Sequence, residues 1–204
     1  MTLSQEILTA IQNAISKQSA VLHEPRFSGN ESKYIQACID STYVSSVGKF
    51  VDRFEEELSN YTGAKHVVAV VNGTAALHVS LMITGVEPGD EVLVPALSFV
   101  ATANAVRYCG AEPHFVDCDE RTLGMDPEAL RTYLKAISEQ LSGICVNRNT
   151  GCSIRAMVPV HIFGHPCDLD GLLAVAREFN LVLIEDAAES LGSTYQGLHP
   201  GTFG

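Results

Sequence analysis

Positive charge is scarce in this sequence: 13 Lys and Arg stand against 24 Asp and Glu, for a formal net charge of -11. Such a surface repels phosphate backbones, which argues against nucleic acid as a partner, although a local site can still oppose the global charge and take a small anion. Charge of either sign is limited, at 18% against 46% hydrophobic residues, a balance unlike that of disordered chains. Paired cysteines are missing as well. Cys38, Cys109, Cys118, Cys145, Cys152 and Cys167 include no C-x-x-C pair and no Cys/His cluster at zinc-site spacing, so they read as free thiols in a reducing compartment. The first residues are amphipathic and polar, without the apolar core of a signal peptide. No run approaches the about 20 apolar residues of a membrane span. These absences imply a cytoplasmic location and no membrane partner. Neither G-x-G-x-x-G nor G-x-x-x-x-G-K-[ST] occurs, which counts against a Rossmann dinucleotide enzyme and against a P-loop.

What is present is a regular pattern. Leu3, Ile7, Leu8, Ile11, Ala14 and Ile15 repeat at helical spacing over 3–18, for packing on the domain surface or on a partner subunit. A linker at 23–29 follows, then a helix capped by Asn30 to about Asp40. A further helix over 50–61 carries one apolar stripe, Phe50, Phe54, Leu58 and Tyr61, and stops at Gly63. Strands are then expected at 66–71, 91–94, 112–116, 156–160 and 181–185. Helices between them span 74–84 and 99–109, start at Asp126-Pro127, and run from the cap Asp168 to Phe179. The alternation predicts an α/β fold of three αβα layers around a mostly parallel sheet. Residues 144–155 read as a small hairpin, too polar for the core, and 192–195 as a short strand. The last residues, Thr202-Phe203-Gly204, close no element, which reads as part of a longer polypeptide. Two regions follow: 1–29, a helix and linker, and 30–204, an incomplete large domain.

Three strand ends carry residues with chemistry. The run Leu181-Val182-Leu183-Ile184 has the unbroken apolar character of a strand buried on both faces and leads into Glu185-Asp186. An acid there stands at the carboxyl edge where open α/β sheets bind ligands, although Asp186 could equally be a cap. Asn72-Gly73-Thr74 opens a helix after a strand. Gly73 admits a close approach and the helix N-terminus favours a phosphate, while a plain turn capped by Thr74 is the commoner origin of such a motif taken alone. Phe99 occupies the next strand-to-helix turn, either as a stacking surface or as a core aromatic. His161 and His165 read as hydrogen-bonded loop residues without metal-ligand spacing. A phosphate cradle, an aromatic face and a carboxylate on one sheet edge suit pyridoxal 5'-phosphate, whose pyridinium nitrogen needs an anionic partner to stay protonated.

Five ordered blocks resemble the DegT/DnrJ/EryC1/StrS sugar aminotransferases, which have the fold-type-I aspartate aminotransferase architecture. They are Ser46-Val47-Gly48-Lys49-Phe50-Val51-Asp52-Arg53-Phe54-Glu55, Asn72-Gly73-Thr74-Ala75-Ala76-Leu77-His78, Pro95-Ala96-Leu97-Ser98-Phe99-Val100-Ala101-Thr102-Ala103-Asn104, Pro159-Val160-His161-Ile162-Phe163-Gly164 and Glu185-Asp186-Ala187-Ala188-Glu189-Ser190-Leu191-Gly192. The resemblance implies that Gly73 and Thr74 hold the cofactor phosphate, Phe99 stacks on the ring, Asp186 pairs with its nitrogen, and Glu189 lies near the ring hydroxyl. Many relatives carry Gln at this last position. The hairpin around Asn147 to Gly151 and the long N-terminal lead are most similar to the branch of legionaminic-acid and bacillosamine pathways.

The resemblance further implies a homodimer and amino transfer from glutamate to a nucleotide-linked 4-keto-6-deoxy sugar, with UDP as the expected nucleotide. The family's Schiff-base lysine would fall beyond Gly204. Lys17, Lys33, Lys49, Lys65 and Lys135 all lie upstream, so no residue of these 204 is a catalytic candidate and the isolated chain is expected to be inactive. A histidine in place of that lysine would make the protein a pyridoxamine-phosphate-dependent sugar dehydratase. A non-catalytic truncated product is the remaining alternative.

Overall fold

The computed structural model describes residues 2–15 and 25–204. The end of the first expected helix, 16–18, and the start of the expected linker lie outside the described residues. The chain divides into two units, 1–48 and 49–204. The first holds α1 (Leu3–Ile15) and α2 (Glu31–Ser41). The apolar stripe of α1 stays exposed at Leu3, Ile7, Leu8 and Ile11. Asn30 occupies the cap position of α2, but its side chain makes no capping bond.

The second unit begins with α3 (Lys49–Thr62) and α4 (Gly73–Ile83), followed by β1 (Glu91–Pro95), α5 (Val100–Tyr108), β2 (Glu112–Val116) and α6 (Pro127–Ile137). Then come β3 (Ser138–Leu141), β4 (Ile144–Asn147), β5 (Ser153–Met157), α7 (Leu169–Phe179) and β6 (Val182–Leu183). Caps account for the helix starts. Asp126 accepts the N–H groups of Glu128 and Ala129 with Pro127 in the first turn, and Asp168 accepts that of Gly171.

Strands β2, β1, β5 and β6 lie side by side and parallel, with β3 and β4 added antiparallel along the start of β5. Alternation along the strands feeds two cores. Leu93, Met157 and Leu183 face α6 and α7, meeting Leu130, Leu134, Leu172 and Val175. Val92, Val94, Ala156, Val158 and Ile184 face α4 and α5, meeting Leu77, Leu81, Ala105 and Val106. Helices therefore cover both faces of a mostly parallel sheet, as the strand-helix alternation implies. On β2, Glu112 and Val116 bond toward β1, so Pro113 turns its nitrogen to the free side of the strand.

Several expectations do not hold. Residues 66–71 join no strand ladder, since no described strand lies beside them to take their backbone bonds; Val68 and Val71 are exposed. The stripe on α3 buries nothing, with Phe54 and Tyr61 more than half exposed. The hairpin turns at 148–151 as expected but is not outside the core. Cys145, Asn147 and Ile154 are buried, because β5 runs on as a central strand and Glu91 takes up the polar groups of the turn. No strand forms at 192–195; Tyr195 and Leu198 only bridge a turn.

Candidate functional site

The carboxyl end of β6 is held on its inner side by the continuation of β5. Ile184 N–H donates to Met157 O, Asp186 N–H to Pro159 O at 2.9 Å, and His161 N–H to Asp186 O at 3.2 Å. Asp186 is thus fixed by its backbone before its side chain makes any contact. That carboxylate is buried, 8% exposed. Oδ2 accepts the hydroxyl of Thr102 at 2.7 Å, and Oδ1 accepts Ala188 N–H at 3.3 Å. The second bond is a turn-capping contact, so the capping role considered for Asp186 is present in the fold.

Thr102 sits in the first turn of α5, 1% exposed, and its N–H donates to Phe99 O. It belongs to the Pro95 to Asn104 block, where the sequence alone assigns it no role. Its signal was the helical spacing that puts it three residues after Phe99, on the turn facing the sheet edge. Phe99 itself is the cap residue of α5 and is 71% exposed, so it is not a core aromatic.

α4 brings the phosphate-type residues to the same edge. A helix of 11 residues and a strand of 5 are each about 16 Å long. The chain turns from the end of α4 into the start of β1 within a few residues, which sets the N-terminus of α4 near the carboxyl end of the sheet. Asn72, not Thr74, is the cap: Oδ1 accepts Ala75 N–H at 2.8 Å. Asn72 O takes Ala76 N–H, and no described group takes the N–H of Gly73 or Thr74. A side-chain carbon built at Gly73 would meet nothing within 4 Å, so the approach to those donors is open.

Glu189 lies on the turn beyond Asp186 and is exposed; Oε2 accepts Phe163 N–H at 2.9 Å. That bond steadies an unusual backbone, because Phe163 has φ +53°, a region costly for a residue with a side chain. Gly164 follows at φ +80°, where a Cβ would come within 2.8 Å of Glu189 O. His161 is fully buried and hydrogen-bonded, but it does have a carboxylate partner, Glu185, at 3.1 Å and 24 residues along the chain. His165 is exposed. No three His, Cys, Asp or Glu among the described residues are grouped to hold a metal. Lys135 is tied to Glu178 at 3.1 Å and Lys49 lies over the Phe50 ring.

The donor set fits a phosphorylated aromatic cation. Asp186 is a buried anion with no ion-pair partner among the described residues, and buried charges ordinarily have one. The free N–H groups of a helix start, an exposed aromatic and this carboxylate share one sheet edge. Clefts of about 300 Å³ beside Phe115 and Tyr133, and about 360 Å³ beside Tyr61 and His199, include none of these residues.

Fold and edge together define an α/β protein with a candidate ligand-binding edge at the carboxyl ends of its strands. The chain belongs to the DegT/DnrJ/EryC1/StrS aminotransferase family, whose model matches residues 25–204. It is 44% identical over 180 residues to a GDP-perosamine synthase of Caulobacter vibrioides, covering 88% of this chain and 44% of that protein. Among solved structures it resembles DesI in the presence of its TDP-sugar product, with TM-score 0.76, 31% identity, and coverage of 92% of this chain and 44% of that one. It also resembles a GDP-4-keto-6-deoxymannose-3-dehydratase with a trapped PLP-glutamate geminal diamine, with TM-score 0.74, 27% identity, and coverage of 91% and 45%. The family is one of pyridoxal-phosphate-dependent enzymes, and the second of these structures holds a PLP-glutamate adduct. The chain spans somewhat under half the length of these relatives. No helix among the described residues is long and apolar enough to cross a membrane.

Proposed function

We propose that this chain works within a pyridoxal-phosphate-dependent aminotransferase that moves the amino group of glutamate to the keto carbon of a nucleotide-linked 4-keto-6-deoxy sugar. The observation that carries the reading is Asp186, a buried carboxylate fixed by Thr102 and the β5 continuation, with no cation beside it among the described residues. Bound pyridoxal phosphate supplies the electron sink that stabilises negative charge next to the transferred nitrogen. Asp186 keeps a proton on the ring nitrogen by opposite charge, and Thr102 holds Asp186 in place. The N–H groups of Gly73 and Thr74 receive the phosphate, assisted by the helix dipole. Phe99 would cover a face of the ring. Glu189, whose Oε2 accepts Phe163 N–H, would lie on the side of the ring hydroxyl.

On this reading 30–204 form part of the cofactor-binding domain and 1–29 lead into it. The working unit is a homodimer in the cytoplasm, a location that suits six free cysteines. Likeness to perosamine synthases favours GDP as the nucleotide, against the UDP suggested by the hairpin resemblance. The likeness to a GDP-4-keto-6-deoxymannose-3-dehydratase supports a second reading, a keto-sugar dehydratase on the same site.

The native gene product, incubated with pyridoxal phosphate, glutamate and the GDP- or UDP-linked keto sugar, is expected to release 2-oxoglutarate and an amino sugar in equal amounts. Loss of the sugar hydroxyl without a new amine would favour the dehydratase. A protein that gives no cofactor absorbance band above free pyridoxal phosphate would defeat both.

A further inference from the structure

Two carboxylates leave the end of β6 in opposite directions. Alternation sends Asp186 toward α5, where Thr102 meets it, and Glu185 to the other face. The Glu185 side chain is only 2% exposed. Its Oε2 accepts His161 Nε2–H at 3.1 Å and Gly201 N–H at 2.8 Å. Its Oε1 accepts Phe203 N–H at 2.7 Å and Gly204 N–H at 2.9 Å. A carboxylate offers about four lone-pair sites, so all are used and every partner is a donor. A proton on either oxygen would face an N–H, so the group sits ionised. Burial pushes this carboxyl up, but the His161 bond and the three amides outweigh burial and hold it below the usual carboxylate range.

His161 links this cluster to Asp186. Its imidazole is fully buried, and Nδ1 accepts Cys167 N–H at 3.2 Å, which leaves the ring proton on Nε2, aimed at Glu185. The main-chain N–H of the same residue donates to Asp186 O. One residue therefore braces both acids, one through its ring and the other through its backbone. The clasped segment lies hard against the strand: a Cβ at Gly204 would come within 2.7 Å of Leu183 O.

We propose that Glu185, braced by His161, is a positioning residue: it clasps the segment 201–204 to the strand end that presents Asp186 and so sets the path of the chain relative to the cofactor site. The positioning rests on the cofactor reading given above; the clasp itself does not.

Glu185→Gln in the native gene product is the test. The amide keeps the size of the carboxyl but turns an NH2 on two of the four donors. Amide hydrogen exchange at Gly201, Phe203 and Gly204 is expected to speed up at least tenfold, while amides of β1 and α5 keep their protection. The pH at which the bound pyridoxal phosphate band titrates is expected to move. Glu185→Asp, which keeps the charge on a shorter arm, is expected to restore the band and part of the protection. Unchanged protection at 201–204 in Glu185→Gln overturns the clasp. Lost protection with an unmoved band overturns the positioning role. Global unfolding of both variants assigns Glu185 to fold stability and likewise overturns it. If the native protein gives no band at all, the cofactor reading and the positioning role built on it fail, and the exchange comparison alone decides the clasp.

Discussion

Replacing Thr102 with valine removes one atom's worth of chemistry from the site, and the cost can be worked out. The hydroxyl donates to Asp186 Oδ2 at 2.7 Å, with Thr102 1% and Asp186 8% exposed. Valine has the same shape, so packing is retained, and the extra methyl in a buried position returns at most about 0.8 kcal/mol. Against that, a hydrogen bond to a charged group contributes about 1.5–3 kcal/mol. Only the longer bond from Ala188 N–H, at 3.3 Å, would remain on the carboxylate. The polar loss therefore wins by about 1–2 kcal/mol. In a domain of this size that lowers the melting temperature by about 2–8 °C, at 2–4 °C per kcal/mol. Thr102→Ser keeps the donor and should recover most of the loss. Differential scanning calorimetry at neutral pH, backed by a urea midpoint, measures both. A Thr102→Val protein that melts at or above the native temperature would show that Asp186 does not depend on this hydroxyl, and would remove the basis for its role in holding the acid.

Three further outcomes follow from other parts of the fold. Burial pushes the carboxyl of Glu91 up, but bonds from Asn147, Thr150 and His114 outweigh it and hold the group below its ordinary value. A carboxyl with a depressed folded pKa stabilises the protein above the unfolded value, about 4.3, and loses that contribution as pH falls through the folded value. Acid titration followed by circular dichroism should therefore show less pH dependence below about pH 4.3 in Glu91→Gln than in the native protein; equal slopes would dismiss the network. The Cys167 thiol is pushed up to about 12 by burial, so a maleimide at neutral pH should label Cys38, Cys118 and Cys152 and spare Cys167, as read by peptide mass spectrometry. Gly124→Ala would place a Cβ 2.3 Å from Cys167 Sγ, and should lower the urea midpoint by an amount worth about 1–3 kcal/mol; an unshifted midpoint would mean that the turn gives way.

The parallel strands and the helices between them were legible because each carries its own local signal. β1 and the residues around β6 are apolar runs, and Asp126-Pro127 and Asp168 begin helices as caps do. Residues 66–71 have the same β-branched signal and yet form no strand, because pairing needs a neighbour and a neighbour is not a local property. The hairpin misled for a similar reason. Its turn is polar, but Glu91, far away in sequence, accepts from Asn147 and Thr150 and lets the turn be buried. In the site, Asp186 and Phe99 could be picked out by their positions at strand and helix ends. Thr102 carries only a spacing signal, three residues after Phe99, and the Glu185–His161 pair none, since each acts through a partner that only the folded sheet brings near. Asn72 and Thr74 are both good capping residues, and the backbone, extended at Asn72, sets the cap there rather than at Thr74.

Pro113 has a consequence for the protein in crowded solution. Among the described residues no strand pairs with the outer side of β2, and an open row of backbone groups invites a stranger's strand. A proline nitrogen there carries no hydrogen, so an incoming strand would find a carbonyl with no donor to answer it at that step. Pro113 thus guards the rim against chain-to-chain pairing, the first step toward aggregation. Exchanging it for valine should leave the inner ladder to β1 in place and raise the light scattering of concentrated samples.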